Sequence, residues 1–196
     1  MAKKVTKSTA KPTDSRFEVL KMLTPEQKDK LLLKLFRKDP MLVEKLAFEF
    51  FEDKTDLEQR RREIKTKIDK YIIQSYIVWD TPGDLMMEMR SINGRITEHV
   101  KITKDKYGEV ELTILLLNTA FDRFGTMLNS KITRADTFGE YCIKRTLHII
   151  KCLDKLHEDN YLDFKEDLDR LYNYLHTYKK TAYEAKSNNI PTKFEF

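Results

Sequence analysis

The chain has 196 residues, of which 35% are charged and 40% are hydrophobic, with only five glycines and five prolines. This composition excludes collagen-like, mucin-like and low-complexity proteins. A chain of this length is typical of one globular domain, which buries about 70% of the surface that its unfolded form exposes. The formal net charge of +5 at pH 7 raises the question of nucleic-acid binding, which depends on clustered Lys and Arg side chains.

The positive charge is concentrated at the start of the chain. Residues 1–13 contain four lysines and no acidic residue, so the remainder carries 33 basic and 32 acidic side chains. Because the same segment has too few apolar residues to offset the entropy lost on ordering, we predict a disordered Lys-rich tail over 1–13. A single helical domain is expected over 14–186. A C-terminal tail follows over 187–196, and its phenylalanines suggest that it docks back on the domain.

Neither a secretory signal nor a membrane span is expected. Charged residues recur every few positions through Lys21, whereas a signal peptide needs an apolar stretch of about 7–15 residues. The longest uncharged stretch, 112–121, has 10 residues, and a spanning helix needs roughly 18. Cys142 and Cys152 lie ten positions apart in one predicted helix, which is too far for a disulfide. We therefore expect a cytoplasmic protein with reduced thiols and no membrane partner.

The predicted secondary structure is entirely helical. Thr24-Pro25, Asp39-Pro40 and Thr81-Pro82 each place a capping residue before a proline at the first helical position. Apolar residues then recur at helical spacing. The helices predicted in this way span 25–37, 40–52, 56–78, 84–104, 109–129, 134–158 and 163–184, with 14–22 as a further short candidate.

These elements predict an all-α fold of six or seven helices, arranged as an antiparallel bundle or a short helical-repeat-like stack. The segment 109–129 is apolar nearly all round, which predicts that it forms the central helix. One alternative stays open between 84 and 114. Asn93-Gly94 is a strong hairpin signal and the apolar residues after it partly alternate, as they do in a small β-meander.

His148, Cys152, Asp154 and His157 are residue types that bind zinc or iron, and all four lie in the helix predicted over 134–158. His148 and His157 are nine residues apart, on opposite faces of a straight helix, so one ion cannot bind both. A thiol such as Cys152, beside an apolar stripe, mostly acts as a small inert hydrophobe. The sequence therefore predicts no metal, no cofactor and no catalytic residue.

Two groups of basic residues were compared as binding surfaces. The basic side chains between 60 and 70 scatter around the helix axis among acidic ones, which is typical of a solvated helix face. Arg61 alone lies within the apolar stripe, where its stem is expected to snorkel. In the helix predicted over 163–184, cationic and aromatic side chains fall within about 60° of one another. Such a face can stack bases or bind a partner, although its tyrosines can equally widen the buried stripe. The candidate binding residues are Lys165, Tyr172, His176, Lys179 and Tyr183.

Several short motifs occur in a characteristic order: LTPEQ at 23–27, a Lys/Arg-rich helix with Tyr71, FGEY at 138–141 and YLDF at 161–164. In this order the chain resembles an uncharacterised all-helical family of small bacterial proteins. The resemblance implies a helix over 84–104 and a bacterial, cytoplasmic protein. The family has no assigned activity, so the resemblance implies no functional residue.

The sequence contains no glycine-rich phosphate loop and no convergent catalytic set. Amphipathic helices and a Lys-rich tail favour a non-catalytic scaffold or adaptor that binds another protein through a helical face. The alternative is a weak, sequence-independent nucleic-acid-binding protein that uses the tail and the face around Tyr172. A third hypothesis is an unrecognised hydrolase or metalloprotein that uses the helix over 134–158.

Overall fold

The computed structural model describes residues 15–74, 81–129, 131 and 134–195. Within these ranges the chain forms nine α-helices and no β-strand, which confirms the all-α fold class. The predicted disordered tail, 1–13, lies outside the described residues. The helices are α1 (Ser15–Met22), α2 (Pro25–Lys38), α3 (Pro40–Phe51), α4 (Lys54–Ile68), α5 (Pro82–Thr103), α6 (Lys106–Phe124), α7 (Ala135–Leu153), α8 (Tyr161–Thr177) and α9 (Lys179–Ser187).

The predicted number of six or seven helices is too low for two reasons. The short candidate at 14–22 is present as α1, and the segment predicted as one helix over 163–184 forms two helices, α8 and α9. Between them the backbone of Tyr178 is extended, with φ −89° and ψ 135°. The Thr181 hydroxyl stabilises this break, because it donates to the Leu175 carbonyl at 2.7 Å and lies 3.1 Å from the Tyr178 carbonyl.

The chain divides into two compact units, with the boundary between Glu44 and Lys45 inside α3. The N-terminal unit includes α1 and α2. Thr24 starts α2 with a capping box, in which its amide donates to Gln27 Oε1 at 2.9 Å and its hydroxyl oxygen accepts from the Gln27 amide. The domain limits expected from the sequence, 14–186, stay a prediction.

The core of the C-terminal unit surrounds α6. Twelve of the 19 residues of α6 are buried, and the helix packs against α4, α5, α7 and α8. Every residue from 116 to 121 is buried, so this stretch has no side facing water. The prediction of a central helix over 109–129 is confirmed, with the difference that α6 begins at Lys106 and gives way to a 3₁₀ turn over Gly125–Asn129.

α5 continues through Asn93-Gly94 without interruption, so the alternative of a small β-meander is wrong. Burial of each large apolar side chain stabilises the helix by about 1.5–3 kcal/mol, which outweighs the cost of about 1 kcal/mol for a glycine inside a helix. One face of α5 carries the buried residues Leu85, Met89, Ile92 and Ile96.

Gly94 offers a test of this balance, because a Cβ atom at this position would meet no other atom within 4 Å. We expect Gly94→Ala to raise the free energy of unfolding by about 0.5–1 kcal/mol, since alanine loses less backbone entropy in a helix. Urea unfolding followed by circular dichroism measures the change. As a matched control, Gly139→Ala would place its Cβ 2.8 Å from the Lys180 carbonyl and should destabilise the protein. A loss of stability in Gly94→Ala would contradict the expectation.

A buried ion network joins α4, α5 and α6 at Asp105, the residue that caps α6. Arg61 binds its carboxylate with two N–H groups, Nε at 2.6 Å and Nη2 at 2.7 Å. His99 Nε2 lies 3.0 Å from the same carboxylate, and the Gly108 amide donates to it at 2.9 Å. The side chains of Arg61 and Asp105 are only 11% and 4% exposed. Arg61 is therefore an internal anchor and does not belong to a solvated face.

The surroundings of Asp105 make its charge part of the stability of the fold. Burial by itself raises the pKa of the carboxyl, but hydrogen bonds from His99, Arg61 and Gly108 outweigh burial and hold the pKa well below its usual value. As the pH falls, the unfolded state therefore takes up the proton before the folded state does. The stabilisation is complete above about pH 5 and is lost progressively as the pH falls further.

We expect Asp105→Asn to lower the free energy of unfolding at pH 7 by about 3–5 kcal/mol, because the buried guanidinium of Arg61 would lose its buried counter-charge and keep only the exposed Glu58. The variant should also lose less stability than the natural protein between about pH 4 and pH 2. Urea unfolding at a series of pH values measures both effects. Glu58→Gln is the control, since it removes an exposed partner of Arg61 and should cost less than about 1 kcal/mol. Equal losses in the two variants would contradict this account.

Candidate functional site

The candidate binding residues predicted from the sequence do not share one uninterrupted helix, because the periodicity of α8 ends at Tyr178. Tyr172 is 1% exposed and belongs to the core, whereas Tyr183 is 77% exposed. Tyr172 therefore widens the buried stripe of the helix, as the alternative interpretation of the sequence predicted. Three of the candidates lie on α8 and two on α9, namely Lys165, Tyr172 and His176, then Lys179 and Tyr183.

The end of the chain lies along α8 and binds its polar groups. Lys165 Nζ donates to the Phe194 carbonyl at 2.8 Å, and the Phe194 amide donates to Asp169 at 2.6 Å. His176 Nε2 lies 2.9 Å from the Ile190 carbonyl. The C-terminal tail thus docks back as predicted. Two of the candidate residues, Lys165 and His176, are already engaged within the chain.

A cavity of about 400 Å³ lies between α7, α8 and this C-terminal segment. The rings of Tyr161 and Phe194 meet edge-on in its wall, with centroids 5.9 Å apart. Its size fits a small organic molecule. We assign no ligand to this cavity.

A second group of polar side chains meets between α6 and α7. Glu109 Oε1 lies 2.8 Å from His148 Nε2, and His148 Nε2 lies 3.4 Å from Cys152 Sγ. The three ligand atoms all lie within 4.8 Å of one another. Glu109, His148 and Cys152 are called the Glu109 cluster below.

Of the four residues that the sequence suggested as metal ligands, the structure keeps two together and places the other two elsewhere. His148 and Cys152 are one turn apart and belong to the Glu109 cluster. His157 instead pairs with Asp159 at 3.1 Å, and Asp154 lines the 400 Å³ cavity. Sequence reasoning missed Glu109, which lies 39 positions before His148. No local pattern links the two, because only the packing of α6 against α7 brings them together.

The Glu109 cluster does not have the geometry of a catalytic triad. Glu109 and Cys152 both contact Nε2 of His148, whereas a triad places the acid and the nucleophile on opposite ring nitrogens. Burial and the nearby charge of Glu109 raise the pKa of the Cys152 thiol, which leaves it protonated at neutral pH. The three side chains instead offer one oxygen, one nitrogen and one sulfur atom within 4.8 Å of one another, which are atoms that can ligate a metal ion.

A smaller cavity of about 110 Å³ adjoins the Glu109 cluster. Glu109 and Cys152 form part of its lining, together with Lys104, Lys106 and Lys155. The three ammonium groups favour anions in this cavity.

α2, in the N-terminal unit, has an exposed apolar side. Four of its leucines are 38–56% exposed, and at 100° per residue they cover an arc of about 200°. Four basic residues fall within about 100° on the opposite side of the helix. These eight residues are called the α2 surface, with the apolar members Leu31, Leu32, Leu33 and Leu35 and the basic members Lys30, Lys34, Arg37 and Lys38.

The net charge of the chain differs between its two units. Residues 1–44 carry eleven basic and six acidic side chains, a net charge of +5, while residues 45–196 carry 26 of each. Residues 1–13 contribute +4 of this excess and residues 14–44 contribute +1. Counted by unit, all of the net charge belongs to the unit that exposes the α2 surface.

No known protein family, curated protein or solved structure matches this chain. The resemblance to an uncharacterised bacterial family accordingly stays a prediction. In the part of the chain that the structure describes, none of the helices is both long and apolar enough to cross a membrane.

Proposed function

We propose that this protein is a non-catalytic adaptor that binds another protein through the α2 surface. The observation that carries this proposal is the exposure of four leucines on one side of α2, with four of its five basic side chains on the opposite side. Helices of this type bind in apolar grooves of other proteins, where residues at i, i+3 and i+4 serve as anchors.

The energetics of α2 support the same function. A helix of 14 residues is only marginally stable by itself in water. Its capping box contributes about 1 kcal/mol, but none of its residues is buried. Burying two leucines would add about 3–6 kcal/mol. A partner that covers the apolar side would therefore stabilise the helix and gain affinity from the same contacts.

The charge on α2 defines the chemistry of the partner. Lys30, Lys34, Arg37 and Lys38 lie on the side of α2 opposite the leucines, and their positive charge increases the rate of association with an acidic surface. The partner that fits is a protein with an apolar groove bordered by Asp and Glu side chains.

The test compares the full-length protein with its Leu31→Asp/Leu35→Asp variant. A partner is first isolated from a native lysate of the source organism, and its affinity for purified protein is then measured by calorimetry. We expect the variant to bind at least about 100-fold more weakly, because two apolar anchors are lost. Lys30→Glu/Lys34→Glu should slow association and reduce its dependence on salt.

The matched control is Leu162→Asp, which changes a leucine that is 69% exposed on α8. It should bind the partner as the natural protein does. The proposal fails if no stoichiometric partner is recovered, or if the two leucine variants bind equally well. Self-association in light scattering, or binding to anionic vesicles in place of a protein, would likewise overturn it.

A second candidate, weak sequence-independent nucleic-acid binding, is favoured by the confinement of the net charge to residues 1–44. We expect binding to a single-stranded oligonucleotide at about 50 mM salt, with an affinity that falls linearly on a log–log plot against salt. Deleting 1–13 removes four lysines and should reduce the slope by about 3. The leucine variants should have no effect. An absence of binding at about 50 mM salt would exclude this candidate.

A further inference from the structure

The Glu109 cluster is held by two packed helices. His148 and Cys152 occupy positions i and i+4 on α7, so they share one face of it. Glu109 lies in the first turn of α6, which packs against α7. Ligands on rigid helices keep their positions better than ligands on loops do, and this is what a metal site requires.

Two distances within the cluster can be compared with those around a tetrahedral ion. Zn²⁺ forms bonds of about 2.0–2.3 Å to nitrogen, oxygen and sulfur. In a tetrahedral site these bonds place a nitrogen and a sulfur ligand about 3.6 Å apart, and a nitrogen and an oxygen ligand about 3.4 Å apart. The distance from His148 Nε2 to Cys152 Sγ is 3.4 Å, and that from His148 Nε2 to Glu109 Oε1 is 2.8 Å. The first already fits. The second has to lengthen by about 0.6 Å when the ion binds.

From this geometry we propose that the Glu109 cluster binds one Zn²⁺ ion through Glu109 Oε1, His148 Nε2 and Cys152 Sγ. One nitrogen, one sulfur and one oxygen ligand suit zinc, whereas Mg²⁺ and Ca²⁺ prefer oxygen alone. The Cys152 thiol releases its proton to the solvent as its sulfur binds the ion. The carboxylate and the thiolate then balance the two charges of the ion.

Three protein ligands leave a fourth tetrahedral position, as they do in zinc sites that keep one position open. The 110 Å³ cavity adjoins the cluster, since Glu109 and Cys152 both line it. Its volume holds a water molecule or a small anion. Lys104, Lys106 and Lys155 favour an anion or a hydroxide as the fourth ligand. Zn²⁺ binding at this position does not depend on protein binding through the α2 surface.

The experiment uses full-length, tag-free protein from which metal has been removed with a chelator. Co²⁺, which takes the same ligands as zinc and is visible by absorption, is titrated first, and Zn²⁺ is then added. We expect one equivalent of Co²⁺ to bind, with a thiolate-to-cobalt charge-transfer band in the near ultraviolet. One equivalent of Zn²⁺ should abolish this band. Zn²⁺ should also protect Cys152 from alkylation, measured by peptide mass spectrometry.

The cysteines offer a matched pair of variants. Cys152→Ser should abolish the charge-transfer band and weaken Zn²⁺ binding at least about 100-fold, since even the loss of a group behind a ligand costs about 10–100-fold. Cys142→Ser changes the other cysteine of α7, which is fully buried away from the cluster, and should leave the band intact. If Cys152→Ser does not fold, the half-exposed His148 provides a second variant, His148→Gln. Its secondary structure should be unchanged and its Zn²⁺ affinity similarly lowered.

Four results would overturn the site. They are the absence of a charge-transfer band, a band that survives Cys152→Ser, a Zn²⁺ affinity that is the same in His148→Gln and the natural protein, and alkylation of Cys152 at the same rate with and without Zn²⁺. His157→Gln serves as the control for the histidine, because His157 pairs with Asp159 outside the cluster. It should bind Zn²⁺ as the natural protein does.

Discussion

The structure of the C-terminal unit depends on one requirement, that α6 be covered on all sides. Because every residue from 116 to 121 is buried, no arrangement with α6 at the surface would keep these side chains out of water. The four helices α4, α5, α7 and α8 satisfy the requirement by packing around it. Dispersion and hydrophobic burial are non-directional, so they favour this enclosure without fixing how far each neighbour is shifted along α6.

Polar pairs at defined positions of α6 supply that directionality. Near its N-terminus, Asp105 binds Arg61 of α4, Glu109 meets His148 of α7, and Glu111 accepts from Lys65 of α4 at 2.7 Å. Negative groups are also favourable at this end of the helix dipole. The acid that caps α6 is thus structural. Glu109, one turn later, meets a histidine and a thiol, and the same packing that builds the core assembles three possible metal ligands.

Much of the helix pattern was predictable, because the forces that start and continue a helix act within a few residues. The capping box at Thr24 and the prolines that follow capping residues are examples. The helices α2 and α5 begin at the prolines that these signals mark. The break at Tyr178 was not predictable in the same way. Its ring stacks on that of Phe121 at 5.9 Å and occupies the space where a Cβ at Gly125 would lie. Both contacts come from α6 and its end, far away in sequence.

Composition and local spacing alone therefore determined that this protein is helical, which helix is central, where most helices begin, and that the end of the chain docks back. They also showed that His148 and His157 cannot share an ion. Only the tertiary structure decided that Arg61 is buried on Asp105, that Tyr172 belongs to the core, and that Glu109 joins His148 and Cys152. The physical reason is that helix formation depends on residues three or four positions apart, whereas a site or a buried ion pair depends on which helices pack together and in what register.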